Sequence, residues 1–225
     1  MQLNQRYYLK LAAAYIRGVL PEVLAKYPQP LNELSEEALE QIFQYGKEKE
    51  LKIHKFKKTM GLPRVQKVLG MLQGLQPANL LDVGTGRGVF LWPLLTQFPH
   101  MPVQCVDILD FRVEAINQVN RGGIPNVSAQ LLDITNTDFR TNQFDVVTAL
   151  EVVEHIPNTE AVIRELCRVA HWYVIISVPS KEDDNPEHIH LFTKQRFKEL
   201  FAQNGVTKVK FDEVLNHLIV LAVLE

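Results

Sequence analysis

The chain has 225 residues, 46% of them hydrophobic and 22% charged, with 24 Lys and Arg against 26 Asp and Glu for a formal net charge of -2. These proportions exclude a disordered tail, a collagen-like repeat and a low-complexity scaffold, and the length suits one α/β domain with a small appendage. The near-neutral balance neither requires nor excludes a polyanionic partner. The longest apolar runs, such as 218–224, fall well below the ~20 residues of a membrane helix. Residues 1–6 lack the regions of a secretory signal. Cys105 and Cys167, the only cysteines, sit in apolar contexts that suit buried, reduced thiols. The expectation is a cytoplasmic protein that does not cross a membrane.

Residues 1 to about 70 read as helical. Tyr7, Leu9, Leu11, Ala12, Tyr15, Ile16 and Leu20 form an apolar stripe at helical spacing, stopped by Pro21. Pro28 and Pro30 punctuate a loop. Ser35 then caps a second helix, with Glu36 and Glu37 at its positive end and Leu39, Ile42 and Phe43 facing inward. Between 47 and 67 lie Lys47, Lys49, Lys52, Lys55, Lys57, Lys58, Arg64 and Lys67 against Glu48 and Glu50 alone. Such a stretch suits either a phosphate-binding surface or a solvated helix face. The second reading is preferred, with Leu51 and Phe56 inward, because Phe56 is the one aromatic there and stacking residues are missing.

From Asn79 the pattern changes to short strand-like runs alternating with helix-length amphipathic segments, as in a parallel sheet wrapped by helices. Strands are expected near 79–83, 103–107, 127–131, 144–149, 173–178, 206–212 and 216–223. The connection around Glu213 is too short for a parallel crossover, so the last two form an antiparallel hairpin. The predicted fold class is α/β: a Rossmann-like seven-stranded sheet with an antiparallel last hairpin and an N-terminal helical extension. Residues 1–70 form the helical cap and 71–225 the main domain.

Asp82, Val83, Gly84, Thr85, Gly86, Arg87 and Gly88 follow the first strand and lead into a helix. Glycines let such a turn bend tightly and bring backbone amides against a ligand. Val89 stands where a dinucleotide fingerprint needs its last Gly or Ala, and no Lys-Ser or Lys-Thr pair follows for a P-loop. The spacing of Asp82, Gly84, Gly86 and Gly88 resembles the first motif of the class I S-adenosylmethionine (SAM) dependent methyltransferases. The resemblance covers roughly residues 60–225. It implies that SAM is the cofactor, that Asp107 receives the ribose hydroxyls, and that Asp133 with Ile134 contacts adenine. It also matches Phe144, Asp145, Val146 and Val147 running into Leu150 and Glu151. The resemblance assigns nothing to the N-terminal helices; from their position ahead of the glycine turn they are expected to close over the cofactor and shape the acceptor pocket.

Glu151, Glu154 and His155 follow the fourth strand at i, i+3 and i+4, which places all three on one face if they lie on a helical turn. His188 and His190 follow the fifth strand at the same sheet edge. Two carboxylates and two imidazoles suit a divalent cation: oxygen ligands favour magnesium, and the imidazoles shift preference toward manganese or a later transition metal. Glu-x-x-Glu-His with a distal His resembles the metal site of the small-RNA 3′-terminal 2′-O-methyltransferases and of ubiquinone-pathway O-methyltransferases. That implies Glu151, Glu154, His155 and His188 as ligands, with His155 and His188 also catalytic. His188 is chosen over His190 because Phe192 and Thr193 follow it at the family's spacing. His190 reads as structural or substrate-contacting, and His171 and His217 as core or surface imidazoles. Arg and Lys are sparse around His188, so the acceptor stays open between RNA and a small molecule. A metal-free methyltransferase of a small metabolite and a non-catalytic SAM-binding protein remain rivals. Oligomeric state is not written in the sequence.

Overall fold

A computed structural model of the chain describes residues 3–56, 61–182 and 184–224. The helical extension comprises α1 (Leu3–Val19), α2 (Pro21–Lys26), α3 (Glu36–Glu48), a short 3₁₀ turn (Ile53–Phe56) and α4 (Pro63–Leu75). Pro21 both ends α1 and opens α2, where a missing N–H costs nothing. The Ser35 side chain accepts from the Ala38 N–H and so caps α3. The basic residues 47–67 do not share one helix face, because α3 ends at Glu48. Among them, Lys47 and Lys49 lie over the rings of Phe43 and Tyr45, and Lys67 pairs with Asp212. Lys57 and Lys58 fall outside the described residues.

Strands and helices then alternate: β1 (Leu80–Val83), α5 (Leu91–Gln97), β2 (Val103–Asp107), α6 (Asp110–Arg121), β3 (Val127–Leu131), β4 (Phe144–Leu150), α7 (Thr159–Val169), β5 (Ala170–Pro179), α8 (Lys194–Ala202), β6 (Lys208–Val214) and β7 (His217–Val223). They form one seven-stranded sheet in the order β3-β2-β1-β4-β5-β7-β6. β1 to β5 are parallel and β7 runs antiparallel to both neighbours, as the short connection requires. The order reverses at β1 and β4, and ligands of doubly wound sheets sit beyond the carboxyl ends of the strands at such a point.

Alternate strand residues supply two cores. Leu80, Val103, Val146 and Ile175 face one side, and Leu81, Val106, Val147 and Ile176 the other. Both faces are covered by helices, which is why the central strands read as almost unbroken apolar runs. The first core also takes Leu9, Ile16, Leu39 and Val68, so the N-terminal helices and the sheet share one apolar interior. The boundary drawn at residue 70 falls inside α4. Helix α1 lies along α6 at backbone contact: a Cβ on Gly122 would stand 1.6 Å from the Ala14 carbonyl oxygen. It reaches the glycine turn through the rings of Tyr15, Phe56 and Trp92, with centroids 5.4 and 5.0 Å apart along the series. Both cysteines are buried and unpaired. No helix among the described residues is long and apolar enough to cross a membrane.

Candidate active site

The carboxyl end of β1 carries Asp82, 3% exposed, whose Oδ1 accepts from Thr148 Oγ1 at 2.8 Å. Burial pushes its carboxyl up to about 6, with the Thr148 and Thr85 hydroxyls opposing. Gly84, Gly86 and Gly88 follow at φ of 64°, 60° and 78°. Gly88 is constrained twice, because a Cβ there would also lie 2.2 Å from Trp92 Nε1. That indole nitrogen donates to the Arg87 carbonyl at 2.9 Å and floors the turn.

Asp107 ends β2 and is 4% exposed. Its Oδ2 accepts from the Gly86 N–H at 2.8 Å and its Oδ1 from the Leu109 N–H at 3.0 Å, while Arg112 Nη1 stands 3.5 Å away. One carboxylate thus ties the glycine turn to the start of α6. Ile108, the next residue, is 70% exposed and offers apolar surface at the crevice that the sequence did not single out. Asp133 is exposed, with Oδ1 accepting from the N–H and hydroxyl of Thr135, both at 2.8 Å. The Ile134 side chain is buried in the second core, so what it leaves for a ligand is backbone.

Across the switch point, Glu151 leaves β4 with φ at 59°, a left-handed conformation that costs a non-glycine residue about 1–2 kcal/mol. Its N–H donates to the Ser177 carbonyl at 2.9 Å, Ser177 Oγ donates to its Oε1 at 2.7 Å, and its Oε2 lies 3.2 Å from His217 Nε2. The premise of a helical face shared by Glu151, Glu154 and His155 is therefore corrected. A left-handed residue precedes a 3₁₀ turn of Val153–His155, and Glu151 stands outside it.

Glu154 is completely buried, and among the described residues neither carboxyl oxygen has a hydrogen-bond partner at bonding geometry. Burial pushes its carboxyl up to about 8; the Glu151 charge adds to the shift, and nearby backbone amides and Arg64 oppose it. The Glu154 carbonyl accepts from the Ile189 N–H at 3.0 Å, which draws the segment after β5 over the turn. His155 Nδ1 lies 2.9 Å from the Glu187 carbonyl, so this nitrogen carries the proton and Nε2 is the available ligand atom. The His155 and His188 rings are 4.8 Å apart. Ligand atoms of Glu154, His155 and His188 all lie within 4.8 Å of one another, and Glu151 is not part of this group. A buried carboxyl unpartnered among the described residues beside two imidazoles, one held in its ligand tautomer, fits a divalent cation.

The other histidines separate. His190 packs against Phe192, with its Nε2 buried and unpartnered. His171 stacks on Trp172 at the amino end of β5, across the sheet from the crevice, beside a concavity of about 420 Å³. His217, read from the sequence as a core or surface imidazole, stands at the crevice edge against Glu151.

The strand order, the glycine turn after β1 and the carboxylate ending β2 define a class: Rossmann-like α/β proteins that seat a nucleotide-type ligand across the switch point. The family is narrower. The chain belongs to the methyltransferase-domain family, whose model matches residues 54–210, and its sheet is that of the class I SAM-dependent methyltransferases. Among curated proteins it is similar to a ubiquinone biosynthesis O-methyltransferase of Rickettsia canadensis (strain McKiel), 28% identical over 45% of this chain and 42% of that protein. It is also similar to a malonyl-[acyl-carrier protein] O-methyltransferase of Geobacter sulfurreducens, 25% identical over 61% and 48%. The matched stretch spans less than half the length of these two relatives. Among solved structures, a SAM-dependent methyltransferase from Aquifex aeolicus superimposes with a TM-score of 0.62 at 24% identity, covering 74% of this chain and 93% of that one. The methyltransferase domain of bacterial CtHen1 gives 0.61 at 19% identity, covering 72% and 97%.

Proposed function

We propose that the chain transfers the methyl group of SAM to a hydroxyl oxygen, assisted by a divalent cation held by Glu154, His155 and His188. The observation that carries this reading is the fully buried Glu154 carboxyl, unpartnered at bonding geometry among the described residues and beside two imidazoles. Uncompensated, such a group costs about 1–3 kcal/mol or more, a cost that a cation offsets. Bound there, a manganese-type ion supplies Lewis acidity that lowers a hydroxyl's pKa and fixes its oxygen.

A sulfonium methyl is already activated, so the chain's part is placement. The turn from Asp82 to Gly88 holds the donor with its backbone amides, and Asp107 turns from the Gly86 N–H to the ribose hydroxyls. Asp133 and the Ile134 backbone meet the adenine. His155 and His188 hold the hydroxyl side of the crevice. The O-methyltransferases among the relatives support oxygen as the acceptor atom. In sequence, residues 181–191 carry Glu182, Asp183, Asp184 and Glu187 against Lys181, and Ile189 and Leu191 are each 50% exposed. That lining favours a small molecule with apolar surface over the 3′ end of an RNA, whose phosphates need cations.

The test is methyl transfer from labelled SAM to a metabolite extract and to RNAs with free or blocked 2′-hydroxyls, each with and without chelator. The expected product is a methylated small molecule, lost with chelator and restored by manganese. Transfer that ignores chelator assigns a metal-free methyltransferase. Tight SAM binding without transfer to any acceptor assigns a binding protein.

A further inference from the structure

We infer that Glu151 is not a ligand of the cation but the orienting partner of His217, and that His217 Nδ1 accepts a hydrogen bond from the acceptor hydroxyl. The acceptor role rests on the O-methyltransferase reading above. The pairing of the two residues does not.

Register puts the two side chains together. β7 runs antiparallel to β5 with His217 opposite Pro179, so β7 begins where β4 and β5 end, at the carboxyl edge that holds the crevice. The Ser180 N–H donates to the Asn216 carbonyl at 2.8 Å and pins the hairpin turn there. Glu151 reaches toward this edge through its left-handed backbone. Ser177 occupies one of its carboxylate oxygens and His217 Nε2 approaches the other at 3.2 Å. Three residues on, Glu154 shows the opposite condition, with neither oxygen partnered at bonding geometry among the described residues. Glu151 lies outside the group that the other three form, with its oxygens turned to a hydroxyl and an imidazole instead.

An imidazole with a carboxylate at Nε2 is held in the Nε2–H tautomer, which leaves the lone pair on Nδ1. The His217 side chain is a quarter exposed, and among the described residues nothing bonds to its Nδ1. That nitrogen is therefore available as an acceptor at the carboxyl edge of the sheet. A hydroxyl donating to it is held with its oxygen lone pairs free for an in-line approach.

Three measurements decide the matter. Long-range proton–nitrogen spectra of ¹⁵N-labelled protein are expected to show His217 as Nε2–H, with the bias lost in Glu151→Ala; an Nδ1–H tautomer overturns the pairing. Manganese titration by electron paramagnetic resonance is expected to leave Glu151→Gln within about threefold of the parent while Glu154→Gln loses about a hundredfold or more. Equal losses overturn the assignment of Glu151. With the acceptor identified by the transfer assay, His217→Gln keeps a donor toward Glu151 but lacks the Nδ1 lone pair. It is expected to raise the acceptor KM about tenfold at unchanged SAM affinity. His217→Asn, whose Oδ1 stands near the Nδ1 position, is expected to restore most of that loss, and an unchanged KM in His217→Gln overturns the acceptor role. If the parent binds no manganese, the cation reading fails while the spectra and the KM split still decide this one. If no acceptor is methylated, the O-methyltransferase reading and the acceptor role fail together, and the spectra alone decide the pairing.

Discussion

Asp107 and Glu154 stand on opposite sides of one crevice, both nearly or wholly excluded from solvent, at 4% and 0% exposure. Asp107 is saturated: two backbone N–H groups donate to it and an arginine stands beside it. Glu154 has no hydrogen-bond partner at bonding geometry among the described residues. The cofactor side is thus shaped by hydrogen bonds within the chain. The acceptor side keeps a polar group whose burial raises its carboxyl to about 8 and which a cation would hold in its ionised form.

That contrast breaks first at Glu154. Glu154→Gln is expected to cost about a hundredfold or more in manganese affinity while SAM affinity stays within about twofold, measured by calorimetry; a parallel loss of SAM would erase the distinction between the two sides. Next in size, Gly88→Ala forces a Cβ into the Trp92 ring at a positive φ. It is expected to cost about 2–4 kcal/mol in denaturant unfolding, and more than Gly86→Ala, where the nearest atom to an added Cβ is 3.7 Å away. Equal costs would show that the turn is not held by its indole floor. Asp107→Ala is expected to weaken SAM about tenfold or more through lost charge-assisted hydrogen bonds, with manganese affinity unchanged. Unaltered SAM binding would remove the ribose assignment.

A last effect sharpens the contrast through pH. Burial raises the Asp82 carboxyl from its ordinary 3.8 to about 6. A raised acid is neutral in the folded state where the unfolded chain is already ionised. Its contribution to stability is full below about 3.8 and is lost as the pH climbs through about 6. The amide of Asp82→Asn does not titrate, so the variant's Tm relative to the parent is expected to rise between about pH 4 and about pH 7.5, by the equivalent of about 1–3 kcal/mol. A difference that does not change with pH would mean that Asp82 is not held in this way.

Much of this was legible from the chain. All seven strands fall within three residues of the expected positions, because buried parallel strands and amphipathic helices carry different periods. The Ser35 cap and the turn from Asp82 to Gly88 were equally readable, since each is settled by residues a few positions apart. Glu154, His155 and His188 were singled out by residue type, and the structure does bring them together. The helical spacing assumed for Glu151 did not survive, because one left-handed residue removes it from the face that i, i+3 and i+4 imply. His217 carried no local signal: a lone imidazole in an apolar hairpin looks like many satisfied histidines.

Short-range pattern and backbone preference along the chain were therefore enough for the sheet, its final hairpin, the helical extension and the glycine turn. The meeting of Glu151 with His217, the sealing of Glu154 from donors and the closure of the N-terminal helices' apolar face onto the sheet's first core came only with the folded molecule. Each depends on strand register and helix packing between segments far apart in sequence. Those contacts are chosen by the lowest free energy of the whole fold, not by any window of residues.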